Sequence, residues 1–158
     1  QPKPHFIKMN GNEVYRFAVG AIVRATTQAV KDAGLTMDDV ELIIPHQANA
    51  RIIASAAKSL KIPLDKWFVN VDRYGNTSAA SVAIALCEAI ERGRIKEGDH
   101  IVLVAFGGGL SWAAAVVQWG VPAFVHQAPW WKNLVYRYRG REAAARSLAR
   151  RAGRKIPR

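Results

Sequence analysis

Three short segments of this 158-residue chain place polar groups where an apolar run stops. Pro45-His46-Gln47-Ala48-Asn49-Ala50-Arg51 follows Leu42-Ile43-Ile44. Asp72-Arg73-Tyr74-Gly75-Asn76-Thr77-Ser78-Ala79 follows Val71, and Ala105-Phe106-Gly107-Gly108-Gly109 ends another apolar run. A histidine after a strand is either a catalytic candidate or a hydrogen-bonded structural residue. An asparagine before Thr-Ser at a helix start is either a ligand-contacting group or a turn and cap residue. A triple glycine is a tight turn, and the G-x-G-x-x-G pattern of dinucleotide sites is absent. Each segment lies at the carboxy-terminal end of an expected strand, which is where open α/β sheets hold their ligands, so the three converge on one edge. The single thiol, Cys87, sits in an Ala-rich apolar stretch and reads as a small packed hydrophobe, not as a nucleophile.

The elements that must position these groups follow from periodicity. Val14, Phe17, Ala18, Ala21, Ile22, Ala25, Ala29 and Val30 recur at three- and four-residue spacing, predicting an amphipathic helix over 12–33 that Gly34 ends in a left-handed cap. Thr36-Met37-Asp38-Asp39 reads as a helical turn capped by Thr36. Glu41–Ile44 is a strand stopped by Pro45, Ala48–Leu60 a second helix, and Trp67–Val71 a second strand. Thr77–Ile90 is apolar on almost every side, as a buried helix is. His100–Phe106 and Ser111–Trp119 form a hairpin around the glycines. The succession is that of an α/β layered domain.

Composition narrows the function. Half of the residues are hydrophobic, enough for one sizeable core and too many for a disordered chain. No apolar stretch is long enough to span a membrane, and no signal peptide opens the chain. A lone cysteine cannot close an internal disulfide, which fits a cytoplasmic protein. The opening Gln1-Pro2-Lys3-Pro4 suggests a fragment or a processed product. The net charge of +11 is uneven: 13 Lys/Arg stand against 11 Asp/Glu up to Trp119, and 10 against 1 from Gly120 to Arg158. The basicity therefore belongs to a tail.

Together the motifs Pro45-His46-Gln47-Ala48-Asn49, Gly75-Asn76-Thr77-Ser78-Ala79-Ala80-Ser81 and Phe106-Gly107-Gly108-Gly109 resemble those of the 3-oxoacyl-[acyl-carrier-protein] synthase III family of condensing enzymes. Met9–Val14 and Gly93–Asp99 are similar to it as well, so the resemblance covers residues 1–119. It implies an α/β fold, the carboxy-terminal half of the five-layer α-β-α-β-α thiolase fold, with a mixed sheet and a buried helix. It also implies a decarboxylative Claisen condensation of an acyl-CoA, typically acetyl-CoA, with malonyl-acyl-carrier-protein, initiating fatty acid synthesis. His46 and Asn76 match the pair that hydrogen-bonds the malonyl thioester oxygen, the Gly108 N–H a second oxyanion donor, and Phe106 an apolar wall beside the malonyl carboxylate. Arg16, Arg51 and Lys58 match basic positions that meet the acidic carrier protein; a merely solvated helix face is the alternative. Gly11, Asn49 and Ile52 resemble the CoA and pantetheine entrance. No metal or resident cofactor is implied, since CoA and carrier-protein thioesters are substrates. The family's nucleophilic cysteine precedes everything present here, so the chain is expected to be inactive without an amino-terminal half, and a homodimer is expected of the complete enzyme.

Residues 120–158 depart from that pattern. Pro129-Trp130-Trp131, Tyr136-Arg137-Tyr138-Arg139 and the run Ala143–Arg151 are consistent with a translation artefact, a solvated extension, or a basic arm for nucleic acid or an anionic membrane. The rival functions are accordingly a thiolase-like acyltransferase with another acceptor, or an inert domain carrying a basic binding arm.

Overall fold

The computed structural model describes residues 9–120; the expectations about the basic tail and the first residues lie outside them. Helix α1 runs Gly11–Asp32, with the Asn10 side chain accepting from the Glu13 N–H at its start. Gly34 adopts φ +73° beyond its end, and Leu35 N–H reaches back to the Val30 carbonyl, closing the helix as its sequence anticipates. In the following turn the Asp39 carboxylate accepts from both the Thr36 hydroxyl at 2.6 Å and the Thr36 N–H at 2.8 Å. These bonds hold the Asp39 acid below its usual range, with the hydroxyl the largest cause.

Strand β1 is Val40–Pro45, α2 is Ala50–Leu60, α3 is the single turn Val71–Tyr74, and α4 is Ser81–Glu91. Strands β2, His100–Gly107, and β3, Ser111–Gln118, complete a three-stranded sheet in the order β1-β2-β3. β1 runs parallel to β2, and β2 antiparallel to β3, so the sheet is mixed.

Two cores form, one on each face. Ile22, Ile43, Ile53, Val102 and Val104 pack between the sheet and α1/α2; Leu42, Ile44, Phe68, Ala85, Ala89 and Ile101 pack beneath α4. β2 alternates between the two cores as a strand covered on both sides must. In β1 a register shift between Val40 and Leu42 puts Val40 on the same face as Ile43.

Two expectations change. Trp67–Val71 is not a strand: only Trp67 bridges to Ile43, in parallel, with Phe68 N–H donating to the Ile43 carbonyl at 2.9 Å. The chain then turns away, because Asn70 N–H is taken by the Gln47 side chain at 2.9 Å and α3 begins. Helix α4, apolar on all sides in sequence, is covered on one side here. Ser81, Ala85, Glu88 and Ala89 face inward, while Ala83, Cys87 and Ile90 lie exposed, as does Ala79 in the turn Ser78–Ala80 before it. Cys87 is thus at the surface, not packed as its neighbours suggested. The β3 residues Ala113, Ala115 and Val117 share the α4 face of the sheet, since they pair with Ala105, Leu103 and Ile101, and they too are exposed. Among the described residues no helix is long and apolar enough to cross a membrane.

Cys87 in the native chain should therefore react with a water-soluble thiol reagent at nearly the rate seen after unfolding. Strong protection, measured by absorbance of the released chromophore, would show the α4 face to be covered.

Candidate active site

The site begins with the end of β1. Because β1 and β2 are parallel, the residues after Pro45 and those after Val104 emerge at the same sheet edge, and His46 N–H donates to the Val104 carbonyl at 2.7 Å. Two residues further along β2, the Phe106 ring meets the imidazole edge-to-face, with centroids 5.2 Å apart. The Phe106 ring is backed by Phe17 of α1, 6.5 Å away, and Phe17 by Trp112 of β3. The Trp67 bridge is also parallel to β1, so the 72–79 segment leaves from this edge as well. The His46 loop thus meets the end of β2 through Phe106 and the start of α4 through Ser81.

Gln47 is the brace beneath. Its amide is 1 % exposed, donates to the Pro45 carbonyl at 2.8 Å and the Phe68 carbonyl at 3.0 Å, and accepts from Asn70 N–H. The buried Asn70 amide in turn donates to Glu88 of α4 at 2.8 Å, and Arg73 and Arg92 each pair with that carboxylate at 2.7 Å. The Asn70 amide first, then the two guanidinium groups, hold the Glu88 acid below the usual carboxylate range. Arg73 lies in α3, so this chain of bonds ties the His46 loop, the segment that carries Asn76, and α4 together.

Asn76 follows Gly75, whose φ of +66° and ψ of −162° is a region essentially reserved for glycine. Asn76 is exposed, and its side-chain oxygen accepts from Ser78 N–H at 2.9 Å. That bond commits the oxygen and leaves the NH2 as the free end. On His46, half-buried, Nδ1 lies 2.5 Å from the Ser81 hydroxyl, so Nε2 is the free end. Burial holds the imidazole below its ordinary pKa and favours the neutral ring. Gly108 follows β2, and its carbonyl accepts from the Ser111 hydroxyl at 3.2 Å. Gly109, at φ +76°, makes the turn possible.

The other sequence candidates divide. Arg51 and Lys58 share one exposed face of α2 with Ser55, whose hydroxyl bonds the Tyr15 hydroxyl at 2.6 Å; Arg16 is the next residue of α1. Arg51 and Lys58 therefore share one face of α2, Arg16 is exposed on α1, and among the described residues none of the three pairs with a carboxylate. Gly11 opens α1 and Asn49 caps α2, its side chain accepting from Arg51 N–H at 2.8 Å. Ile52, expected to line an entrance, is 6 % exposed and packs in the α1-side core, so it offers a ligand almost no surface. Sequence reasoning passed over Gln47, Asn70, Ser81 and Glu88. A polar residue at a core-facing position of an apolar helix, as Ser81 and Glu88 are, was the readable signal.

Residues 30–119 match the family described as 3-oxoacyl-[acyl-carrier-protein] synthase III C terminal. A beta-ketoacyl-[acyl-carrier-protein] synthase III of Roseiflexus castenholzii is 54% identical over 114 residues, 72% of this chain and 34% of the relative. One from Caldanaerobacter subterraneus is 55% identical over 115 residues, 73% of this chain and 35% of the relative. The crystal structure of the Thermus thermophilus synthase III superposes with a TM-score of 0.73 at 53% identity, covering 76% of this chain and 37% of that one. The chain thus spans about a third of the length of the curated relatives it matches.

The depressed imidazole pKa has a stability consequence with a definite sign. Between its folded value and the unfolded value of about 6.5, the unfolded chain binds the extra proton, so His46 contributes stability above that range and loses it as pH falls through it. Denaturant titrations should show stability falling on acidification below neutrality, and His46→Gln should remove this component of the slope.

Proposed function

The chain belongs to the 3-oxoacyl-[acyl-carrier-protein] synthase III C-terminal family, and on that premise we propose that it is the oxyanion-holding half of a decarboxylating condensing enzyme. The supporting observation is that each of the two side chains has one end committed. Asn76 has its oxygen engaged by Ser78 N–H and His46 its Nδ1 engaged by Ser81, leaving Nδ2 and Nε2 as the donor ends; in the proposal both donate to one ligand oxygen. Donors prepositioned where negative charge develops stabilise a transition state without reorganising.

In this reading the amino-terminal half supplies a cysteine thiolate that takes an acyl group from acyl-CoA. Malonyl-acyl-carrier-protein then binds with its thioester oxygen at His46 and Asn76. Carbon dioxide leaves, its bonding electron pair stays on the α-carbon, and the oxygen becomes an enolate that the two N–H donors hold. The carbanion attacks the acyl thioester carbon, whose oxygen the Gly108 N–H receives, and collapse expels the thiolate with formation of the 3-oxoacyl product. Phe106, packed on the imidazole, forms the apolar wall that leaves the departing carboxylate poorly solvated. Cys87, on the outer face of α4, is not that nucleophile.

In the same proposal an amino-terminal half packs on the uncovered face. The exposed Ala79, Ala83, Cys87 and Ile90 and the exposed Ala113, Ala115 and Val117 on the α4 face of the sheet are small apolar residues of the kind a second domain buries. The exposed Arg51 and Lys58 of α2, with Arg16 on α1, suit an acidic carrier protein, by steering more than by tight contact. Homodimerisation of the complete enzyme and the acyl-CoA substrate belong to the same proposal.

Two experiments test this. Mixing the chain with the amino-terminal half of a relative should yield condensation of acetyl-CoA with malonyl-carrier protein. His46→Ala or Asn76→Ala should lower the rate by about 100- to 1000-fold, the effect of losing one such donor. Turnover by this chain alone would sink the reading. In the same assay Arg51→Glu should raise KM for the carrier protein with little change in kcat, and the difference should shrink as salt rises.

A further inference from the structure

We propose that Ser81 is a positioning residue that assigns the imidazole proton of His46 to Nε2. The argument is one of donor and acceptor accounting in a dry place. Ser81 is the first residue of α4 and is 1 % exposed, so its hydroxyl has no access to bulk water. Among the described residues two polar partners lie within reach of its oxygen: Gln47 N–H at 3.3 Å and His46 Nδ1 at 2.5 Å. The Gln47 N–H is a backbone donor, so toward it the hydroxyl oxygen accepts. The hydroxyl proton then needs an acceptor, and Nδ1 is the acceptor present. If the ring instead carried its proton on Nδ1, Ser81 would accept twice and its own O–H would be buried without a partner, which costs more than an ordinary hydrogen bond gains.

The direction of this relay is imposed from the scaffold outward. Gln47 is itself clamped by the Pro45 and Phe68 carbonyls and by Asn70 N–H, so its backbone N–H is a fixed donor. From there the order runs Gln47 N–H to Ser81 Oγ, Ser81 O–H to His46 Nδ1, and Nε2–H outward. Burial of the ring disfavours the doubly protonated form, in which Nδ1 would have to donate. The meaning of the outward Nε2–H rests on the reading of His46 as an oxyanion donor: a ring with its proton on Nδ1 would present a lone pair to a developing negative charge and repel it.

The test is a long-range proton–nitrogen NMR correlation on the full chain at about pH 8, above the imidazole range. The His46 signal is identified among the four histidines by its loss in His46→Gln. The wild-type ring should show the Nε2–H pattern; a predominant Nδ1–H pattern overturns the proposal without any Ser81 variant. In Ser81→Ala the ratio of Nε2–H to Nδ1–H should fall by about 3- to 10-fold, the worth of one ordinary hydrogen bond, and an unchanged ratio also overturns it. Neither substrate nor the amino-terminal half is needed. A failed tautomer preference therefore removes the role of Ser81 alone, whereas a reassembled enzyme that holds Nε2–H and does not turn over counts against the condensation reading alone.

Discussion

The parallel pairing of β1 with β2 is the constraint from which the site follows, because it decides what stands beside His46. Pro45 lies level with Val104, and the next amide, that of His46, still donates to the Val104 carbonyl. One residue beyond the last paired position, the histidine is held by the sheet yet free to turn its ring outward. The same register brings Phe106 against that ring and puts the glycine turn immediately after it. An antiparallel arrangement would have sent the Gly107–Gly109 turn to the opposite edge, with no route back to the imidazole. The chemistry-bearing groups are therefore neighbours because of strand direction, before any side-chain contact is considered.

Side-chain hydrogen bonds then do what the sheet cannot. The stretch from Trp67 to Tyr74 has little ladder of its own, yet its Asn70 is as buried as the core. Irregular backbone in such a place must find its partners in side chains. Gln47 supplies them on one side, and the Asn70–Glu88 bond passes the load to α4, where Arg73 and Arg92 neutralise the acid. A half-satisfied version of this network would cost more than an apolar core of the same shape, so its members stand or fall together.

Much of this was legible in the residues. Apolar spacing located α1, α2, β1 and the β2–β3 hairpin, and the caps at Gly34 and Thr36 followed from local chemistry that works the same way in any fold. The Trp67–Val71 segment misled because its apolar residues satisfy a strand pattern, while the tertiary pull of Gln47 on Asn70 is invisible in a one-dimensional reading. Ile52 shows the reverse difficulty. Its neighbour Asn49 is exposed at the start of α2, but the helical turn carries Ile52 round to the sheet, where the core claims it. Cys87 and the outer face of α4 were read as buried from composition, and composition reports that a helix meets apolar surroundings without saying whether they come from this chain. The locations of His46 and Gly108 were readable because strand ends announce themselves, and Asn76 from its place before Thr-Ser at a helix start, although the strand expected ahead of it is absent. Their orientation was not, since it depends on Ser78, Ser81 and Gln47.

The clasp at the end of β3 decides where anything downstream is launched. Trp119 N–H donates to the Asp99 carbonyl at 2.7 Å, and its own carbonyl accepts from Gly98 N–H at 2.5 Å, fastening the residue after the strand to the turn that precedes β2. β3 begins beside the glycine turn and runs the length of the sheet away from it, eight residues or about 26 Å at ordinary strand rise. Residue 120 is consequently handed off at the pole opposite His46. A reporter, purification handle or cargo joined after that point would start its path on the far side of the sheet, with the His46 rim facing away.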